Sequence, residues 1–186
     1  MSSFTDIIDF VVISVPEQFL MALFAWVLLG RTERVKLRNV FFVGIISAGI
    51  FFTTQAVDIP NVSLPMIQAF SFGLLIYLGY KLNILEAVLG CLITLVFFTL
   101  VQGTTIGLVS IFADVSQFDI SSTLPVRLFV SISEFTVIGL ILFFIYKNNI
   151  DIYYLKGNKL DKSQKSRLGF LVLQLLFAFF IMVVIY

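Results

Sequence analysis

Two acidic side chains stand where acids are scarce. Glu17 lies in the apolar run IIDFVVISVPEQFLMALFAWVLLG, between Pro16 and Gln18. Glu134 lies in a second run, FVSISEFTVIG. A carboxyl in a lipid-embedded helix is costly and marks a functional or tightly bonded position. No Lys or Arg sits at matching depth except Arg127, near the end of its run. Each carboxyl is therefore protonated, hydrogen-bonded to Ser, Thr or Gln, or open to a watery cavity. Gln18, Gln55, Gln68 and Gln102 join Glu17 and Glu134 as candidate polar or ligand-binding groups within the membrane; Thr99, Ser131 and Ser133 are further bonding partners. Two readings compete. One is a polar pocket for a ligand, a proton or a cation. The other is interhelical bonding, worth on average about 0.6 kcal/mol per contact. Bonding is the simpler account for the glutamines and hydroxyls. The two readings weigh equally for the two carboxyls.

Other chemistries are excluded by composition. The chain has no histidine, so no phosphoacceptor histidine, Cys–His pair, Ser–His–Asp triad or imidazole-based zinc site resides in it. No glycine-rich phosphate loop, metal-ligand cluster or intramembrane Ser–Lys pair is present. No catalytic residue, metal or cofactor is expected, and the chain is read as non-enzymatic. The single cysteine, Cys91, sits in an apolar run and is expected to behave as a small hydrophobe.

The elements that carry these residues are apolar throughout. Of 186 residues, 60% are hydrophobic and 12% charged, with mean hydropathy +1.08. Soluble domains are nearer half apolar and a quarter charged, so the excess must face lipid. The apolar stretches predict an all-α, polytopic bundle of six transmembrane spans in one domain, at about 7–30, 40–57, 64–80, 84–113, 126–146 and 168–186. The fourth is longer than a bilayer requires and is expected to tilt or bend near Gln102–Gly103. Pro16 is expected to kink the first. Small residues at Gly44, Ala48, Gly49, Gly73 and Gly79 suggest close helix packing. The 22 phenylalanines supply packing bulk and lipid-facing surface.

Loop charge orients the bundle. Arg31, Arg34, Lys36 and Arg38 crowd the first connection, Lys81 marks the third, and Lys147, Lys156, Lys159, Lys162, Lys165 and Arg167 the fifth. The second and fourth carry Asp58, Asp114 and Asp119 and no basic residue. The basic loops belong in the cytoplasm, which places the N-terminus outside a bacterial inner (cytoplasmic) membrane. Near neutrality and side-sorted charge leave no nucleic-acid surface. Glu86, beside Lys81, reads as an interfacial charge. The start, MSSFTD, lacks the basic residues of a signal peptide, so the first span is expected to be retained.

This layout resembles a known family. The basic loop GRTERVKLRNVFF, the brief outer turn VDIPNVSLP, the inner turn YKLNILEAVLG, the outer loop DVSQFDISSTLP and the Lys-rich inner loop YKNNIDIYYLKGNKLDKSQKSRLG follow one another as in the N-terminal membrane domain of Agr-type autoinducer-peptide receptor kinases. PEQFLM in the first span is similar to members of that family. The resemblance covers the whole chain and rests on topology and loop character. It implies a signal-transduction, quorum-sensing role without the kinase part, as a stand-alone or truncated sensor. It also implies an extracellular peptide ligand at the outer loops and span ends, where Asp58, Asp114, Phe118 and Asp119 are the candidate contacts. The expected partners are membrane lipid, that peptide, and a second copy or another membrane protein. The alternative is a small transporter or the substrate-binding membrane subunit of an importer.

Overall fold

The structure, a computed structural model, describes residues 8–30, 35–57, 63–113 and 123–148, with Leu171, Gln174 and Leu175; of Asp9, Gln55, Ala56 and Ser63 it describes the backbone only. All regular structure among these residues is helical. A π-helical turn, Asp9–Ser14, leads directly into α1, Val15–Leu28. Then come α2, Leu37–Ala56; α3, Ser63–Tyr80; α4, Ile84–Ala113; and α5, Leu124–Lys147. Four stretches are long and apolar enough to cross a bilayer: Phe10–Leu28, Leu37–Thr54, Ile84–Ala113 and Leu124–Lys147. Leu64–Tyr80 is an apolar helix of shorter length. These are the helices of an integral membrane protein, and they coincide with the first five expected spans. The sixth, 168–186, lies outside the described residues but for Leu171, Gln174 and Leu175, of which Leu175 packs against the core.

The ends of the elements have local causes. Gly30 closes α1 with φ 61°, a left-handed conformation that glycine adopts without strain, and its N–H donates to the Val27 carbonyl. Lys81 takes the same role after α3 with φ 52°, at the cost of a side chain in the left-handed region. Glu86, a buried residue, reaches back one turn and accepts a 3.1 Å bond from the Asn83 N–H, so its carboxyl caps α4. The helix of the second span begins at Leu37, before its apolar run, so Arg38 rides on its exposed first turn. Pro16 stands where the π-turn passes into α1, and it has no N–H to donate to the turn before it. The irregularity sits just before it, in the π-turn, where the Val15 N–H reaches the Phe10 carbonyl. At Gln102–Gly103 α4 continues as one 30-residue helix.

Helix α1 is the central element. It packs against α2, α4 and α5 and also touches α3, while α2–α3, α3–α4 and α4–α5 are neighbours in turn. Four helices thus form an arc around the first. Phe24 of α1 stacks on Phe97 of α4 with ring centroids 4.4 Å apart, and Phe98 meets it edge-on at 6.1 Å. The Tyr80 hydroxyl donates 2.8 Å to the Ala22 carbonyl, and the Asn39 side-chain amide donates 3.0 Å to the Gly79 carbonyl, tying α3 to α1 and α2. At Gly44 a β-carbon would stand 2.9 Å from the Phe19 backbone, so glycine is what lets α1 and α2 touch there. At Gly79 a β-carbon would crowd a methyl of the Val43 side chain, at Gly73 it would make only ordinary contact with Cys91, and Gly49 has open space. Cys91 is buried and donates weakly to the Ala69 carbonyl at 3.2 Å.

Burial is unequal along every helix. The core takes Ser14–Leu29 of the first, Val40–Ala48 of the second, Phe72–Tyr80 of the third, Glu86–Phe98 of the fourth and Val130–Leu142 of the fifth. Among the described residues, 8–13, 49–57, 64–71, 99–113 and 123–129 include no buried side chain. The packed half is the one whose ends carry the basic connections. The open half ends at the connections read as external.

Candidate functional site

The polar groups inside the bundle collect where packed half meets open half. Gln18 is fully buried on α1, and Ser47 on α2 donates 2.6 Å to its side-chain oxygen. The Gln18 nitrogen has no hydrogen-bond partner among the described residues. Glu134, on α5, is 4% exposed, and its Oε1 also lacks a partner among them. Glu17 is half-buried on α1. Ser14 and Ser131, both buried, lie one turn from Gln18 and Glu134 along their own helices.

Helix geometry puts these groups at one depth. Glu17 is eleven residues before the end of α1 at Leu28 and Glu134 thirteen before the end of α5 at Lys147, about 16 and 20 Å by helix rise. Both are far from either interface of a hydrocarbon layer about 30 Å thick. Because Gln18 follows Glu17 by one residue, the two side chains leave α1 about 100° apart, and Gln18 is the one that meets α2. The π-turn ends at Ser14, immediately above this layer, and widens the central helix there.

The other candidates are placed differently. Gln68 and Gln102 are half-buried in the open halves of α3 and α4, and their side chains make no hydrogen bond among the described residues. Gln55 is on the open end of α2 with its side chain outside the description, and Asp58, Asp114, Phe118 and Asp119 lie outside the described residues. Thr99, Thr105, Ser133 and Thr136 bond back to carbonyls four residues earlier in their own helices, so these hydroxyls do not join helices. Arg127, two turns from Glu134 along α5, is half-buried and engaged in an interaction of its own.

Ser47 is the partner that sequence reading missed. It stands in GIISAGI, and nothing in that string separates a serine that bonds across helices from one that bonds its own turn. Gly103 and Gly107 form a G-x-x-x-G spacing that was also passed over; a β-carbon at either would meet nothing within 4 Å. Compared with known proteins, the chain matches no family, no curated relative and no solved structure.

Chemically, the layer can hold a ligand but shows no reactive arrangement. Among the described residues the buried hydroxyls nearest in sequence are Ser14 and Ser131, one helical turn from Gln18 and Glu134. What the arrangement offers is a buried donor on α1 and a buried acceptor on α5 that have no hydrogen-bond partner among the described residues.

Proposed function

We propose that this is a receptor-like membrane domain of a bacterial cytoplasmic membrane that takes a small, mostly apolar ligand of the peptide-pheromone type from outside. The observation that carries the reading is the uneven burial. The core closes toward the basic connections, and all five described helices lack buried side chains toward the acidic ones. Loop charge makes the open side external. The open side is rich in apolar and aromatic side chains, among them Phe10 and Phe52, which pack on each other with ring centroids 4.6 Å apart, and such surface suits an apolar ligand. This is the arrangement expected of a site that binds by burying apolar side chains and orients by a few polar contacts. The loop pattern that resembles Agr-type receptors supports the same reading. Lipid surrounds the exposed phenylalanines, and a second copy or another membrane protein receives the signal through helix packing.

A second reading is favoured by the unpartnered Gln18 and Glu134 atoms. Polar groups left unsatisfied at mid-membrane are what a small transporter or the substrate-binding subunit of an importer uses to hold cargo. One experiment separates the two. The purified full chain is titrated with peptide fractions of spent culture medium and with a panel of vitamins, following thermal unfolding. Stabilisation by a peptide fraction alone is the expected result. Stabilisation by a vitamin and by no peptide fraction would overturn the receptor reading.

A further inference from the structure

We infer that the lipid-facing surface of the α2–α3 pair, at its basic end, binds an anionic phospholipid of the leaflet that the basic connections meet. The two helices run antiparallel and are locked together there. The Asn39 side-chain amide donates 3.0 Å to the Gly79 carbonyl. One turn further along α2, a β-carbon at Gly79 would stand only 2.6 Å from a Val43 methyl. Arg38 directly precedes Asn39, and Lys81 follows Gly79 by two residues. Bases from two separate connections are thus held at one place, with Lys36 beside them, and all three side chains are exposed. None of the three makes a hydrogen bond or an ion pair among the described residues. Glu86, the one acid described at that end, is buried and bonded to the Asn83 N–H. Lys147, by contrast, lies over the Phe143 ring of its own helix at 6.0 Å.

Each base ends an apolar stripe. Arg38, Phe42 and Ile45 follow one another at spacings of four and three, along one face of α2. Phe70, Leu74 and Leu78 do the same on α3, and Lys81 continues their line. All five apolar side chains are exposed. In a bilayer such stripes are covered by acyl chains, and a long base at the end of a stripe reaches the headgroup level. The partner's chemistry follows from the two parts together. The apolar stripes take the chains, and the cations from two helices take a headgroup of net negative charge. A zwitterionic headgroup would bring its own cation against them. The outer end of α4 also exposes Leu108, Ile111 and Phe112, but no base ends that stripe, so it selects no headgroup.

This site is independent of whether the protein is a receptor or a transporter. Its test places a tryptophan on the surface and asks which lipid touches it. The full chain is reconstituted in phosphatidylcholine bilayers with rising fractions of phosphatidylglycerol, one of the two carrying brominated chains that quench tryptophan fluorescence. The reporter is Phe42→Trp or, as the reference position, Phe112→Trp, which replace side chains 63% and 83% exposed. The signal of Trp26, the single native tryptophan, is measured in the unaltered chain and subtracted. One base near a membrane surface is worth about fivefold in affinity for anionic lipid. Phosphatidylglycerol should therefore be preferred by about fivefold or more at Phe42→Trp and hardly at all at Phe112→Trp, and high salt should shrink the difference. Arg38→Gln with Lys81→Gln should bring the first preference down to the second. Equal preference at the two reporters, or a preference that survives the double variant, would overturn the site. So would no preference at Phe42→Trp, the result if a second copy or an acidic protein covers this surface. The two reporters are compared with the bases intact, so they decide the matter even where the double variant fails to fold.

Discussion

The Ser47 hydroxyl of α2 donates a 2.6 Å hydrogen bond to the side-chain oxygen of Gln18 on α1, and both side chains are buried. This bond joins the central helix to its first neighbour at the level where the packed core gives way to the open half. Its value depends on what remains when one partner is removed. A polar contact between membrane helices averages about 0.6 kcal/mol, whereas leaving a buried polar group unsatisfied costs about 1–3 kcal/mol.

Ser47→Ala strips Gln18 of its one partner, so the second magnitude applies. The variant should lose about 1–2 kcal/mol of stability, read as a lowered midpoint in denaturant unfolding of the detergent-solubilised protein. Gln18→Leu removes the polar group along with its need for a partner and should cost less. If Ser47→Ala proves the milder of the two, the bond does not stabilise the α1–α2 contact.

Glu17 answers a different question. Glu17 makes no ion pair among the described residues. Glu17→Gln keeps the shape and the hydrogen-bonding capacity and should leave the unfolding temperature almost unchanged. Glu17→Lys places a long cation at the same depth, at a cost of about 3 kcal/mol on insertion scales, and should lower the yield of folded protein. A large loss with Gln would instead show that an ionised carboxylate is needed there, as cation transport requires.

The spans were legible because hydropathy alone determines them. The expected fourth span and α4 share both boundaries, and the second and fifth spans differ from α2 and α5 by a few residues at their ends. Those differences arise where Leu37, Arg38 and Lys147 continue a helix beyond its apolar stretch, since an interfacial turn is helical whether or not it is apolar. Glu17 and Glu134 were legible as costly residues, but not that Glu134 is buried while Glu17 is half-buried, because a sequence gives depth without the angle at which a side chain leaves its helix. Which polar groups bond between helices was also hidden. Ser47 reaches Gln18, while Thr99 and Ser133 turn back on their own carbonyls, and all three look alike in a string of letters. The π-turn before Pro16 had no sequence signal beyond the proline, which suggested a kink instead.

The two glycines of α2 should respond oppositely to alanine. At Gly44 the added carbon would stand 2.9 Å from the Phe19 Cα, a backbone atom that cannot step aside, so α1 and α2 must separate. Loss of about 1–3 kcal/mol is expected, the usual penalty of overpacking. At Gly49 nothing lies within 4 Å, and alanine gains up to about 1 kcal/mol of helix propensity. Thermal unfolding of the two variants side by side checks this. Equal behaviour would mean that α1 and α2 do not approach at Gly44.

Which side the open half faces is settled by labelling. Apart from Arg127 and Glu86, basic residues flank the packed ends of the helices and acidic ones the open ends, so the open half is expected to face outward. Cys91 is buried and can be replaced by alanine to give a background without thiols. Into that background single cysteines are placed at Ser3, Ser122 and Ser163, all outside the described residues. In intact cells a membrane-impermeant thiol reagent should modify the first two, which share the side of the Asp58 and Asp114 loops, and spare the third until the cells are lysed. The consequence reaches beyond topology. Only if Ser122 is external does the unclosed interior of α1–α5 open toward a secreted ligand. Labelling at Ser163 alone would invert the molecule, and with it the receptor reading, because the same open half would then collect its ligand from the cytoplasm.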